Sequence, residues 1–159
     1  MSCNALYLPE PGTVLSEANV QAWFANIAVE LAEASLDRGG KEALGAYYRD
    51  AGLLRPAKAT CFRAHFARPM AIALRHLFGT GSPRPRILDL GCGMGTQSLL
   101  FALLGAEVLG VDLDGGALET LGARMLFYEQ KCGRPLAIER FEADTFSFDY
   151  QAHGPFDGI

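Results

Sequence analysis

One stretch constrains the fold more than any other: Ile87-Leu88-Asp89-Leu90-Gly91-Cys92-Gly93-Met94-Gly95. A short apolar run ends in three alternating glycines, and a helical pattern from Thr96 to Leu104 begins at once. A short apolar run bounded by turn residues reads as a strand buried on both faces. Glu107-Val108-Leu109-Gly110-Val111 reads as a second buried strand. Leu118, Leu121, Met125 and Tyr128 follow at spacings of three, four and three, which is one face of a helix, and Cys132-Gly133-Arg134-Pro135 stops it. Leu136 to Phe141 reads as a third strand, and Phe156 to Ile159 as the start of a fourth. Strands that alternate with helices pair in parallel through right-handed crossovers, so this half of the chain is an α/β unit.

The first 80 residues have a different texture. Residues 1–14 contain Pro and Gly and read as irregular. Ser16 is placed to cap a helix, with Glu17 in its first turn. Val20, Phe24, Ile27 and Leu31 then recur at helical spacing beside Trp23, and Gly39-Gly40 reads as the stop. A short helix is expected over Glu42 to Asp50. A third follows along Phe62, Phe66, Met70, Ala73, Leu74 and Leu77, with Pro69 marking a kink or a fresh start. Pro83 and Pro85 punctuate a linker. The division is therefore a helical region over 1–80 and an α/β region over 81–159.

Composition narrows the function classes. Half of the 159 residues are hydrophobic and a fifth are charged, which is enough apolar material for one folded domain. The net charge is −4, so a strongly basic nucleic-acid binder is excluded as the default. Residues 1–80 carry eight basic and seven acidic side chains, residues 81–159 six and eleven. Cys3, Cys61, Cys92 and Cys132 show no metal-ligand spacing and read as free thiols of a reducing, cytoplasmic compartment. No signal peptide is evident at the start, and the apolar stretch from Leu99 is broken by Glu107, too short to span a bilayer.

The chemistry centres on the glycine run. It lies at the carboxyl end of a strand, where open α/β sheets bind ligands. Glycine allows a sharp turn and a close approach of ligand to backbone. The dinucleotide fingerprint is Gly-x-Gly-x-x-Gly. Here the glycines stand at 91, 93 and 95, position 96 is Thr, and Asp89 precedes the first glycine by two. A carboxylate so close repels a pyrophosphate and suits a ligand with a cationic amine and sulfonium.

This pattern resembles the first motif of class I S-adenosylmethionine-dependent methyltransferases: acidic residue, x, Gly, x, Gly, x, Gly. The resemblance continues over about residues 85–159, through Val111-Asp112-Leu113-Asp114, Asp144-Thr145 and Phe156-Asp157-Gly158-Ile159. It implies a doubly wound, mostly parallel, Rossmann-like sheet with an N-terminal helical cap. It also implies S-adenosyl-L-methionine as cofactor and S-adenosyl-L-homocysteine as product. By position, Asp89 would orient the methionyl amine, and the backbone of Gly91, Cys92 and Gly93 would line the methionyl moiety. Gly95 would permit close helix packing. Asp112 would hold both ribose hydroxyls, Leu113 would pack on the adenine face, and Asp144 with Thr145 would read its edge.

Each residue has a plainer reading. Asp89 could cap the next turn, and Asp144 could be a turn residue. Asp114, ahead of Gly115-Gly116, is better read as an N-cap. Cys92 is a small filler rather than a nucleophile, since no His lies near it in sequence. Tyr47-Tyr48-Arg49 reads as half-buried packing. Arg49, Arg55, Lys58, Arg63, Arg68 and Arg75 against Asp50 read as a solvated basic face before a surface for an anionic substrate. Phe62, Phe66 and Met70 read as core or subunit interface. His65, His76 and His153 form no catalytic or metal pattern.

The resulting expectation is methyl transfer by in-line displacement to a small-molecule acceptor, with no membrane partner. An RNA or protein methyltransferase using the basic 49–75 surface, and a non-catalytic S-adenosylmethionine-binding subunit, are the alternatives. A nicotinamide enzyme is disfavoured by the glycine spacing. No catalytic base is named. The family fold has seven strands and only four can be counted here, the last just begun. The resemblance therefore implies a chain that stops early, with an exposed sheet edge that leaves it unstable, aggregating or paired with another chain.

Overall fold

The computed structural model describes residues 6–50, 56–79 and 84–159, with side chains of the third helix described from residue 65. Two compact units emerge: Met1–Leu8 with Val14–Gly79, and Pro9–Thr13 with Thr80–Ile159.

The first unit is helical, with α1 (Glu17–Glu33), α2 (Arg38–Asp50) and α3 (Pro56–Gly79). Ser16 caps α1 reciprocally: its side chain accepts from the Asn19 N–H, and the Asn19 side chain accepts from the Ser16 N–H at 3.0 Å. Val20, Trp23, Phe24 and Ile27 are buried along one face, and Asn26 is satisfied there by paired bonds with the Tyr7 backbone. The helix ends at Glu33, short of the expected Gly39-Gly40 stop. Ala34 turns to extended backbone, and the Asp37 carboxylate accepts from the Gly40 N–H at 2.6 Å. Those glycines therefore open α2, because a capping side chain stands just before them.

Pro69 starts no new helix, since α3 runs through it to Gly79. The buried face of α3 is Ala67, Ala71 and Leu74; Phe66 is 46% exposed, although it meets Phe24 edge-on at 6.4 Å. Ala73 is exposed as well, while Leu74 of the expected stripe is buried, so the inward face runs through Ala67 and Ala71 rather than Phe66 and Ala73. Phe62 lies outside the described side chains. So do Arg55, Lys58 and Arg63 of the basic run. Tyr48 is buried and Tyr47 exposed, and the two rings meet edge-on at 5.0 Å.

The second unit is α/β. Its order is β1 (Arg86–Leu90), α4 (Thr96–Leu103), β2 (Glu107–Asp112), α5 (Gly115–Cys132), β3 (Ile138–Glu142) and the short α6 (Tyr150–His153). The strands form a parallel sheet in the order β1-β2-β3. Asp114 caps α5 by accepting from the Ala117 N–H at 3.1 Å, and Gly133 closes it in the left-handed conformation at φ 70°. Both expectations hold, because each rests on local backbone demand.

The fourth run contributes one parallel bridge, Gly158 to Ile87, with Leu88 N–H donating to Gly158 O at 3.0 Å. It lies on the edge of β1 away from β2. The chain thus reverses its sheet direction at β1, the arrangement of a doubly wound sheet.

Side chains alternate across the strands. Asp89, Gly110 and Arg140 share one row and face, and this face carries α4 and α5. Leu88, Leu109 and Val111 share the other, where Phe141, Ala143, Phe148, Tyr150 and Phe156 pack on them. Leu99, Leu100 and Leu103 of α4 are fully buried, each contributing about 1.5–3 kcal/mol of hydrophobic stabilisation. The Arg134 guanidinium donates to Leu103 O and so satisfies the carboxyl end of α4.

Candidate functional site

The glycine loop after β1 is bent by three left-handed residues: Gly91 at φ 66°, Gly93 at 52° and Gly95 at 73°. Residues with a Cβ rarely adopt this conformation. Their roles differ in space. A Cβ on Gly91 would meet nothing within 4 Å, so that position is set by conformation alone. A Cβ on Gly95 would lie 2.1 Å from Leu121 Cδ1, so the missing side chain is what lets α5 approach the loop.

The loop is sewn to β2. The N–H groups of Gly91 and Cys92 both donate to Val111 O, at 2.8 and 3.2 Å. The N–H of Gly93 donates to Asp112 Oδ2 at 2.6 Å, and the N–H of Asp114 to Asp112 Oδ1 at 2.9 Å. Each Asp112 oxygen has two lone pairs, so the carboxylate retains acceptor capacity after both bonds.

Asp89 points to α4. It accepts from the Ser98 hydroxyl, which ties it to the first turn of that helix. Burial pushes the Asp89 pKa above its ordinary value, the Asp112 charge raises it further, and the Ser98 bonds pull it back. A carboxylate in this state gains from a nearby cation.

Cys92 is buried, and its thiol is pushed up to about 12, first by burial and then by the charges of Asp89 and Asp112. At neutral pH it is a protonated filler. It sits over Gly110, where a Cβ would be 3.0 Å from its sulfur.

The remaining residues stand on the neighbouring loops at the same end of the sheet. Leu113 is 72% exposed. Ala143 N–H donates to Asp112 O at 3.0 Å, which leads β3 into the turn that holds Asp144 and Thr145. Asp144 Oδ1 accepts from the Phe146 N–H at 2.9 Å, its carbonyl accepts from Ser147 and Phe148, and Thr145 O accepts from the Tyr150 hydroxyl. Asp144 is therefore also a turn residue. The structure brings Gly91, Cys92, Gly93, Gly95 and Asp112 into one hydrogen-bonded group, with Asp89 at its start bonded to Ser98 and with Leu113, Asp144 and Thr145 on adjoining loops.

Sequence reasoning missed Ser98, Gly110 and Arg124. Gly110 had a usable signal, since glycine inside a strand marks a close approach. Ser98 and Arg124 had none, because both act across the chain. The fully buried Arg124 of α5 donates to Met94 O and, at 3.0 Å, to Thr96 Oγ1.

A cavity of about 420 Å³ lies at the opposite, amino end of the strands, lined by Arg86, Glu107, Leu109, Glu139 and Phe156 among others. Glu107 is already paired with Arg86 at 3.8 Å. Among the described residues no cluster of three or more His, Cys, Asp or Glu is placed to hold a metal, and no helix is long and apolar enough to cross a membrane.

No family model and no curated protein matches the chain. Among solved structures it is similar to one titled "StiE O-MT residues 942-1257", at 18% identity and a TM-score of 0.44. The match covers 82% of this chain, which spans 45% of the length of that one.

Proposed function

We propose that the chain is an S-adenosylmethionine-dependent methyltransferase of the class I, Rossmann-like type, with residues 81–159 as its cofactor-binding part and residues 1–80 as a cap. The observation that carries this reading is the pair of carboxylates at the carboxyl ends of β1 and β2, joined through the glycine loop. Asp89 is half-buried with a raised pKa, and Asp112 receives the Gly93 N–H. Such a pair opposes a pyrophosphate and favours a ligand bearing cationic groups and vicinal hydroxyls.

The donor set fits S-adenosylmethionine. Asp89 would meet the methionyl amine, and the backbone of Gly91, Cys92 and Gly93 would line its chain. Asp112 would accept from the ribose hydroxyls through its remaining lone pairs. Leu113 would cover one adenine face, with Asp144 and Thr145 at the ring edge. Bound there, the cofactor supplies a methyl group on a sulfonium, which a nucleophile displaces in line to leave S-adenosylhomocysteine. The chain's part is to hold donor and acceptor in line and to exclude water. The proposed acceptor is a small molecule, and the free thiols of Cys92 and Cys132 accord with a reducing, cytoplasmic setting.

Calorimetric titration with S-adenosylmethionine, S-adenosylhomocysteine and NAD tests the cofactor. Saturable binding of the first two, without NAD, supports it; NAD binding alone overturns it. Transfer of a labelled methyl group to a panel of small acceptors, RNA and protein then tests the acceptor class.

A further inference from the structure

The glycine loop is held from α5 by two residues one turn apart. Leu121 lies against Gly95, and Arg124 reaches the Met94 carbonyl on one side of it and the Thr96 hydroxyl on the other. Positions three apart share a helix face, so both side chains meet the same stretch of loop. Arg124 is fully buried, and its Nη1 donates to the Met94 carbonyl and the Thr96 hydroxyl. Burying a guanidinium carries a large desolvation cost, and an apolar side chain of similar volume avoids it. The hydrogen bonds of Arg124 to the loop are directional. The Met94 carbonyl and the Thr96 hydroxyl flank Gly95, the left-handed residue at the hinge between loop and helix. Fixing both of them fixes the path of Met94-Gly95-Thr96, and with it the place where α4 begins.

We propose that Arg124 is the positioning residue of the cofactor loop, setting the Gly91–Gly95 conformation before any ligand arrives. It acts through Met94 and Thr96. A loop ordered in advance loses less conformational freedom on binding, so the same contacts yield tighter association. The identity of the ligand rests on the proposed function; the ordering of the loop does not.

Hydrogen exchange on the ligand-free chain, together with calorimetric titration with S-adenosylmethionine, tests this on wild type, Arg124→Met and Arg124→Lys. Arg124→Met is expected to speed exchange of the amides between Cys92 and Ser98 by on the order of tenfold, with Val108–Val111 of β2 unchanged. Arg124→Lys, which keeps a donor but loses the planar fork, is expected to fall between the two, and the dissociation constant to rise in the same order. Wild-type exchange in the loop of folded Arg124→Met overturns the proposal, as does acceleration spread evenly over the chain. Should Arg124→Met fail to fold, Arg124→Lys decides by the same contrast of loop with β2. If wild type does not bind S-adenosylmethionine while the loop-confined acceleration persists, the cofactor reading falls and the positioning role stands.

Discussion

The backbone N–H of Gly93 donates to Oδ2 of Asp112 at 2.6 Å, tying the loop after β1 to the end of β2. The two residues are 19 positions apart, and the parallel pairing of Leu90 with Val111 sets them side by side. One carboxylate thus shapes the loop and faces the same space as the loop's open backbone.

Asp112→Ala removes this bond and the one from Asp114. It is expected to weaken S-adenosylmethionine binding by about 1–3 kcal/mol, the cost of losing hydrogen bonds to a charged group. Asp112→Asn keeps one acceptor oxygen and should fall between. Calorimetry on both variants reads the effect, and an unchanged dissociation constant for Asp112→Ala rejects the ribose assignment.

Gly95→Ala places a methyl 2.1 Å from Leu121 Cδ1 on a residue at φ 73°. Overpacking and the left-handed backbone together are expected to cost about 2 kcal/mol or more in urea denaturation. Adding Leu121→Ala removes the clash but not the backbone strain. The double variant should therefore lose less stability than the sum of the two single changes, and strict additivity would show that the two positions do not meet.

Burial raises the Asp89 pKa, so the folded protein holds that proton more tightly than the unfolded chain does. The sign follows from proton linkage: stability falls as pH rises from the unfolded carboxylate pKa through the folded one. Asp89→Asn lacks this ionisation, and its curve of stability against pH should lack that decline. In wild type, affinity for S-adenosylmethionine should drop as pH is lowered into the range where Asp89 takes up its proton. Denaturation and calorimetry from pH 3 to 8 read both effects, and superimposable stability curves for the two proteins reject the raised Asp89 pKa.

Cys92 should resist alkylation. Its thiol is pushed up to about 12 and buried, whereas Cys132 is partly exposed. Iodoacetamide at pH 8, followed by peptide mass spectrometry, should label Cys132 well before Cys92, since the thiolate is the reacting form. Early labelling of Cys92 would mean the loop opens.

Short-range demands made much of this protein legible in its sequence. Three glycines at alternate positions imply a tight loop, because only glycine takes left-handed backbone freely. Ser16 and Asp114 imply helix starts, because their side chains satisfy nearby N–H groups. The apolar runs around Leu88 and Val108 imply buried parallel strands. The Gly39-Gly40 stop was misread because glycine is compatible with either end of a helix, and the Asp37 side chain decided which. The inward face of α3 was misplaced because Phe66 and Ala67 are adjacent on a helix that carries apolar residues broadly around it.

What the tertiary structure decided is which distant groups meet under the loop. Ser98 reaches Asp89, Gly110 makes room for Cys92, and Arg124 crosses from α5 to Met94 and Thr96. Gly110 signals a close approach without naming its partner, and Ser98 and Arg124 carry no signal, because their contacts depend on a βαβ crossover laying a helix on one face of the sheet. Sequence alone determined where the chain turns and where its carboxylates stand. Only packing determined what holds them there, because a buried charge or a missing Cβ acquires meaning from the neighbour it is pressed against.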